Sequence, residues 1–297
     1  MAKKKTTKAR AKKSKLPIIT CTPKRLPAHM ESEAAKIAVK INPHNHPRIE
    51  RLAGVMSGFV PTRARISVVT SRYWGPEGVR LTVGFLDGTP QDLRTRILEH
   101  MNAWSKTANV KFTESNTNPQ VRIARVGGQA GGYWSYLGTE ILQIEPNEPT
   151  MNLEGFTMAT SEAEFTRVVR HETGHTLGFP HEHMREEFVN MIDEEKALSF
   201  YRATQGWSDD DIRAQVFTPI EAGSIRGTGI DQNSIMCYQI PGHITKDGSP
   251  IAGGTDIDES DYAFAASIYR KPTAKKAPMP SVTEFHSSVG GKGGSGK

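Results

Sequence analysis

The sequence predicts an α+β fold: a small mixed five-stranded sheet with helices set against it. Three observations carry this. Leu81, Val83 and Phe85 alternate with smaller or polar neighbours, the period of a half-buried strand. Leu93, Ile97, Met101 and Trp104 then recur at helical spacings of four, four and three. Phe165, Val168, Val169 and Thr176 repeat that helical stripe further on.

Taken in order, the first helical pattern surrounds Glu31–Val39 and ends at Asn42-Pro43. The loop that follows holds His44 and His46, read as surface residues in a Pro-rich turn. After the strand at Leu81–Phe85, Thr89 with Asp92 three positions on, and Pro90 between them, marks a helix start. Further strands are expected at Val110–Thr113, Val121–Val126 and Ile141–Ile144, with an edge strand in the Gly- and aromatic-rich stretch 131–138. A second helix opens at Ser161, where Glu164 completes a capping box. A last helix is expected within 256–269, and its acids Asp256, Asp258, Glu259 and Asp261 are read as helix-start residues complementing the dipole. They lack the glycine and spacing of a calcium loop.

The ends differ from this body. The chain has 297 residues and a net charge of +6, with 36% hydrophobic residues. Residues 1–25 carry ten Lys/Arg and no acid, so the remainder is mildly acidic. This arm is expected to be disordered. It contains no aromatic residue to stack on bases, so specific nucleic-acid binding is not expected. The tail 272–297 is Gly/Ser/Lys-rich and is likewise expected to be disordered. Between the arm and the body, 26–74 reads as an N-terminal segment of pro-like character. No apolar run approaches the ~18 residues of a membrane helix, and no apolar stretch follows the basic start as in a classical signal peptide. The expected location is therefore either the cytoplasm or outside the cell by a non-classical route, and the expected state is a monomer.

The chemistry lies in HETGH, residues 171–175. On a helix His171 and His175 differ by roughly 40° in azimuth and one turn in height, so both imidazoles can reach one ion. Zinc suits them, because neutral imidazole nitrogen is among its preferred ligands. Gly178 can take the left-handed conformation that ends a helix, and His181 can then swing back as a third ligand. Three histidines leave a fourth position for water, as in a catalytic zinc site. Glu172 stands beside the first ligand, within reach of that water. Gly174, costly in mid-helix, is read as permitting a close backbone approach.

HETGHTLGFPHE, residues 171–182, resembles the zinc signature of the metzincin peptidases, and within them the astacin family. SIMCY at 234–238 resembles the family's Met-turn, and GGYWSYLG resembles the edge strand that lines its cleft. The resemblance implies a zincin-like (metzincin) fold whose smaller, irregular C-terminal subdomain ends in a closing helix, with a catalytic domain over 75–271 and one catalytic Zn2+. It implies Met236 as the Met-turn residue, Tyr238 as transition-state donor and Glu182 as an anchor beside the third ligand. Trp134, Ser135 and Tyr136 would line the substrate cleft. Where the family usually has His, this chain has Cys237, and two cysteines cannot form the two disulfides of secreted animal members. No inhibitory aspartate motif of the family is found.

The reaction implied is peptide-bond hydrolysis. The metal activates water, Glu172 acts as general base, and a protein or peptide substrate lies extended along the edge strand. The alternative is a catalytically silent zinc module whose working part is the basic arm, and a weaker one is a zinc hydrolase of another bond. Cys21, ahead of the domain, is read as an inert thiol. It also admits a disulfide with Cys237, or a thiolate that fills the open zinc position and keeps the enzyme latent.

Overall fold

The computed structural model describes residues 21, 24–46, 70–128, 131–182, 186–217, 231–237 and 239–272. The basic arm, apart from Cys21, Lys24 and Arg25, and nearly all of the C-terminal tail lie outside the described residues.

Helix α1, Ala28–Ile41, buries Ala34, Ala35 and Ala38 against the 3₁₀ turn Gly138–Gln143. The loop after it is more than surface. Asn45 is buried and its amide donates to the carbonyls of Ala38 and Tyr73 at 2.9 and 2.7 Å, while His44 and His46 are exposed.

The sheet comprises β1 (Val79–Phe85), β2 (Val110–Glu114), β3 (Val121–Ala124), β4 (Tyr133–Ser135) and β5 (Met151–Leu153). Its order is β2-β1-β3-β5-β4, with every pairing parallel except the antiparallel β4–β5. The mixed five-stranded sheet is thus as expected, but its membership differs. Ile141–Ile144 is no strand: Gly138–Gln143 is a 3₁₀ turn, and Met151–Leu153 fills the place beside β3. A four-residue apolar run carries no periodicity to separate the two forms, and here Thr139 N–H is taken by the Arg72 carbonyl rather than by a strand.

Helix α2, Gln91–Met101, follows Pro90 without a side-chain cap. The Thr89 hydroxyl bonds to Asp87 instead, and the Asp92 carboxylate accepts from Leu93 N–H, so the expected pairing of Thr89 with Asp92 is not made. Helix α3 runs unbroken through Glu162–Glu164, a π-helical stretch Phe165–Val169 and Arg170–Thr176. Ser161 Oγ caps it by accepting from Glu164 N–H at 3.2 Å. The stripes of α2 and α3 meet the sheet in one core that includes Leu81, Val83, Phe112, Ile97, Trp104 and Phe165.

Beyond α3 come short pieces: α4 (Glu186–Val189), α5 (Glu194–Gln205) and α6 (Asp209–Ile212), gathered around a second cluster that includes Phe188, Tyr201, Ile244 and Ile251. The closing helix α7, Glu259–Ile268, returns to the first core through Ile257, Ala265 and Tyr269. Its acids act as expected, with Asp258 and Asp261 forming a reciprocal capping box. Among the described residues no helix is long and apolar enough to cross a membrane.

Candidate metal centre

Helix α3 carries His171 and His175 one turn apart, both buried. The helix ends at Thr176, and Gly178 follows with φ +92°, a backbone state that only glycine takes without strain. Gly178 N–H and Phe179 N–H close back on the carbonyls of His175 and Gly174 at 2.8 and 2.9 Å. The reversed chain brings His181 into the site, where its Nε2 lies 3.0 Å from that of His171 and 2.9 Å from that of His175.

The other ring nitrogens point away. His171 Nδ1 donates to the Ile235 carbonyl at 2.6 Å and His175 Nδ1 to the Phe179 carbonyl at 2.8 Å. Those bonds put the protons on Nδ1 and leave both Nε2 atoms as lone pairs. A single proton on His181 can satisfy one of them, whereas a cation between the rings satisfies all three. A tetrahedral ion with bonds of ~2.0–2.1 Å separates its ligands by roughly 3.3 Å, close to the spacing seen. Burial holds His175 down to about 4, against the raising effect of the Phe179 carbonyl, so its ring is neutral as a ligand must be. The donor set fits zinc.

A fourth donor completes the group. Cys21 Sγ lies 3.6 Å from His175 Nε2, and the ligand atoms of Cys21, His171, His175 and His181 all lie within 4.8 Å of one another. Cys21 reaches this point by an isolated parallel bridge to Tyr133 on β4, and three residues later the Lys24 ammonium sits 4.7 Å above the Trp134 ring. The cysteines form no disulfide, and the Cys21 thiol, expected to be inert, stands among the candidate ligand atoms. The sequence leaves a thiolate at the open metal position as a minor alternative and cannot choose it, because the contact spans 154 positions.

Glu172 is fully buried, and neither carboxylate oxygen has a hydrogen-bond partner. Burial pushes its carboxyl up to about 8, with the Cys21 thiol and then Arg167 acting the other way. Met236 packs under α3: a Cβ on Gly174 would come within 2.4 Å of its Sδ. The glycine therefore admits a side chain rather than the backbone expected. Glu182 N–H donates to the Met236 carbonyl at 2.9 Å, tying the third-ligand loop to that turn. On β4, Trp134 and Ser135 are buried, Tyr136 is half-buried, and Ser135 Oγ lies 3.1 Å from Thr176 Oγ1 at the end of α3. Ser135 thus lies against the end of the helix that carries His171 and His175. Tyr238 lies outside the described residues.

Comparison with known proteins agrees with this geometry. Residues 69–242 match the peptidase family described as Astacin. A structure of myroilysin superposes with a TM-score of 0.63 at 31% identity, covering 68% of this chain and 97% of that one. A second myroilysin crystal structure gives 0.53 at 34% identity, over 68% and 87%. The zinc metalloproteinase nas-27 of Caenorhabditis elegans is 27% identical over 186 residues, or 59% of this chain. The matched region spans 39% of the length of that relative.

Proposed function

The chain belongs to the astacin family of peptidases, and from that membership we propose that it is a zinc-dependent metalloendopeptidase held closed in this conformation by Cys21. The reading rests above all on three Nε2 atoms converging beside a buried carboxylate with no hydrogen-bond partner. A buried unpaired carboxylate is costly. A scaffold that only binds zinc has no use for one, whereas a hydrolase needs it as a base.

His171, His175 and His181 hold the ion, whose bound chemistry is to acidify water and polarise a carbonyl. Glu172 takes the proton of the attacking water and returns it to the leaving amine. The Tyr238 hydroxyl is the proposed donor to the developing oxyanion, and Glu182 braces the third-ligand loop. A peptide substrate pairs its backbone with β4 beside Trp134, Ser135 and Tyr136. Cys21 bridges to that same strand and Lys24 sits over its Trp134 ring, so thiol and substrate exclude each other. In this reading 26–74 is the pro-like segment and 75–271 the catalytic unit.

Glu172→Ala in a chain freed of the Cys21 contact should keep its zinc and lose cleavage of a denatured protein by about 100- to 10,000-fold. Equal rates for wild type and variant would remove the peptidase reading.

A further inference from the structure

Behind His171 a line of hydrogen bonds leaves the metal centre and ends on a carboxylate. His171 Nδ1 donates to the Ile235 carbonyl at 2.6 Å. That carbonyl shares its peptide unit with Met236 N–H, which donates to Ser234 Oγ at 3.1 Å. The Ser234 hydroxyl donates in turn to Asp261 Oδ1 at 2.6 Å. Asp261 Oδ2 accepts from Ile235 N–H at 2.8 Å and Asp258 N–H at 3.1 Å, so the carboxylate that caps α7 also braces the turn. His171, Ser234 and Asp261 are all buried.

The direction of every bond follows from chemistry. An ionised carboxylate only accepts, so Ser234 spends its one proton on Asp261 and keeps its lone pairs for Met236 N–H. A backbone N–H only donates and a carbonyl only accepts, so His171 carries its proton on Nδ1. Each bond polarises the next, and the low-dielectric interior strengthens the effect. Metal-bound imidazoles ordinarily give their second N–H to a carboxylate or carbonyl, and such outer partners are worth roughly 10- to 100-fold in metal affinity or activity.

We infer that Ser234 and Asp261 are positioning residues for the metal, an extended carboxylate–histidine relay in which a hydroxyl and the Ile235–Met236 peptide unit stand between the carboxylate and His171. The relay orients the ring and makes His171 Nε2 a stronger donor. It also explains why the turn carrying Met236 is fastened to the start of the closing helix. The inference rests on the three histidines being the zinc ligands.

The test uses the full chain, with zinc affinity measured by competition against a chromophoric chelator and the visible spectrum recorded after cobalt substitution. Ser234→Ala leaves the bonds of Asp261 to Ile235 and Asp258 in place. It should weaken zinc binding about tenfold and shift the cobalt bands, beyond the modest loss of metal-free melting temperature that the two missing buried hydrogen bonds bring. Ser234→Thr, which keeps the hydroxyl, should restore both affinity and spectrum. Should Ser234→Ala fail to fold, Asp261→Asn keeps the side-chain shape while removing the charge, and should weaken zinc several-fold. Wild-type affinity and spectrum in the folded variant overturn the relay alone. A wild-type chain that takes up no zinc overturns the relay and the peptidase reading together.

Discussion

Two of the four donors at the metal centre, His171 and His175, are carried quite differently from a third, Cys21, while His181 enters on the loop that follows Gly178. His171 and His175 stand on α3, whose Phe165, Val168 and Val169 are part of the main core, and each ring is fixed from behind by a backbone carbonyl. Cys21 fills a place in the second cluster and makes an isolated bridge to Tyr133 on β4. That chain continues into α1, which is fastened by Glu31 to Arg72 at 3.0 Å, and Arg72 pairs with Glu140 at 3.1 Å. One side of the centre is built into the domain and the other is laid across it. If Cys21 closes the site as proposed, it must come away while the three histidines stay, and local opening reaches a strap outside the sheet before a core helix.

The largest effect expected from breaking this contrast is on the strap. Cys21→Ser should raise cleavage by the unprocessed chain about tenfold or more, because apparent activity scales with the fraction of molecules whose site is open. A peptidase assay on purified full-length protein reads this directly, and unchanged activity means that the thiol does not close the site.

On the fixed side, Gly174→Ala sets two effects against each other. The helix gains ~1 kcal/mol in propensity. The new methyl would lie 2.4 Å from Met236 Sδ and 3.3 Å from a Trp104 ring carbon, an overpacking that costs about 1–3 kcal/mol. Met236 and Trp104 are both buried, so overpacking wins and the net loss is on the order of 1 kcal/mol. A higher melting temperature for the variant would show that the Met-turn yields more easily than the packing implies.

The smallest effect concerns the anchor of the strap. Burial pushes Glu140 up to about 7 from 4.5, with Arg72 the main opposing influence. The folded state therefore binds a proton more tightly than the unfolded chain. The contribution of Glu140 to stability is fully present below about pH 4.5 and is lost as the pH rises through about 7. Between about pH 5 and 8 the melting temperature of wild type should fall relative to that of Glu140→Gln by a few degrees, on the order of 1 kcal/mol in a chain of this size. Parallel curves would mean that Arg72 keeps the carboxylate ionised throughout.

Much of the site is legible in the residues because it is local. The helix through HETGH, its end at Gly178 and the return of His181 all follow from spacing and backbone preference within eleven positions. The long stripes of α2 and α3 are equally plain, since an apolar period of three and four residues sustained over several turns is the mark of a helix. The misread elements are short. Gly138–Gln143 and Met151–Leu153 are too brief to show a period, and which of them joins the sheet depends on what lies beside β3.

By itself, then, the sequence determined a metal-binding helix and its family, because those rest on residues near one another in the chain, while of the mixed sheet it gave the number of strands and most but not all of its members. Tertiary structure alone decided that Cys21 meets the histidines, that Asn45 is a buried tie, that Gly174 faces a sulfur, and that Asp261 stands behind His171 through Ser234 and Ile235. These are contacts between groups far apart along the chain. Residue type says what such groups can do, but only the folded core says which of them meet, because the packing of every intervening element sets the distance between them.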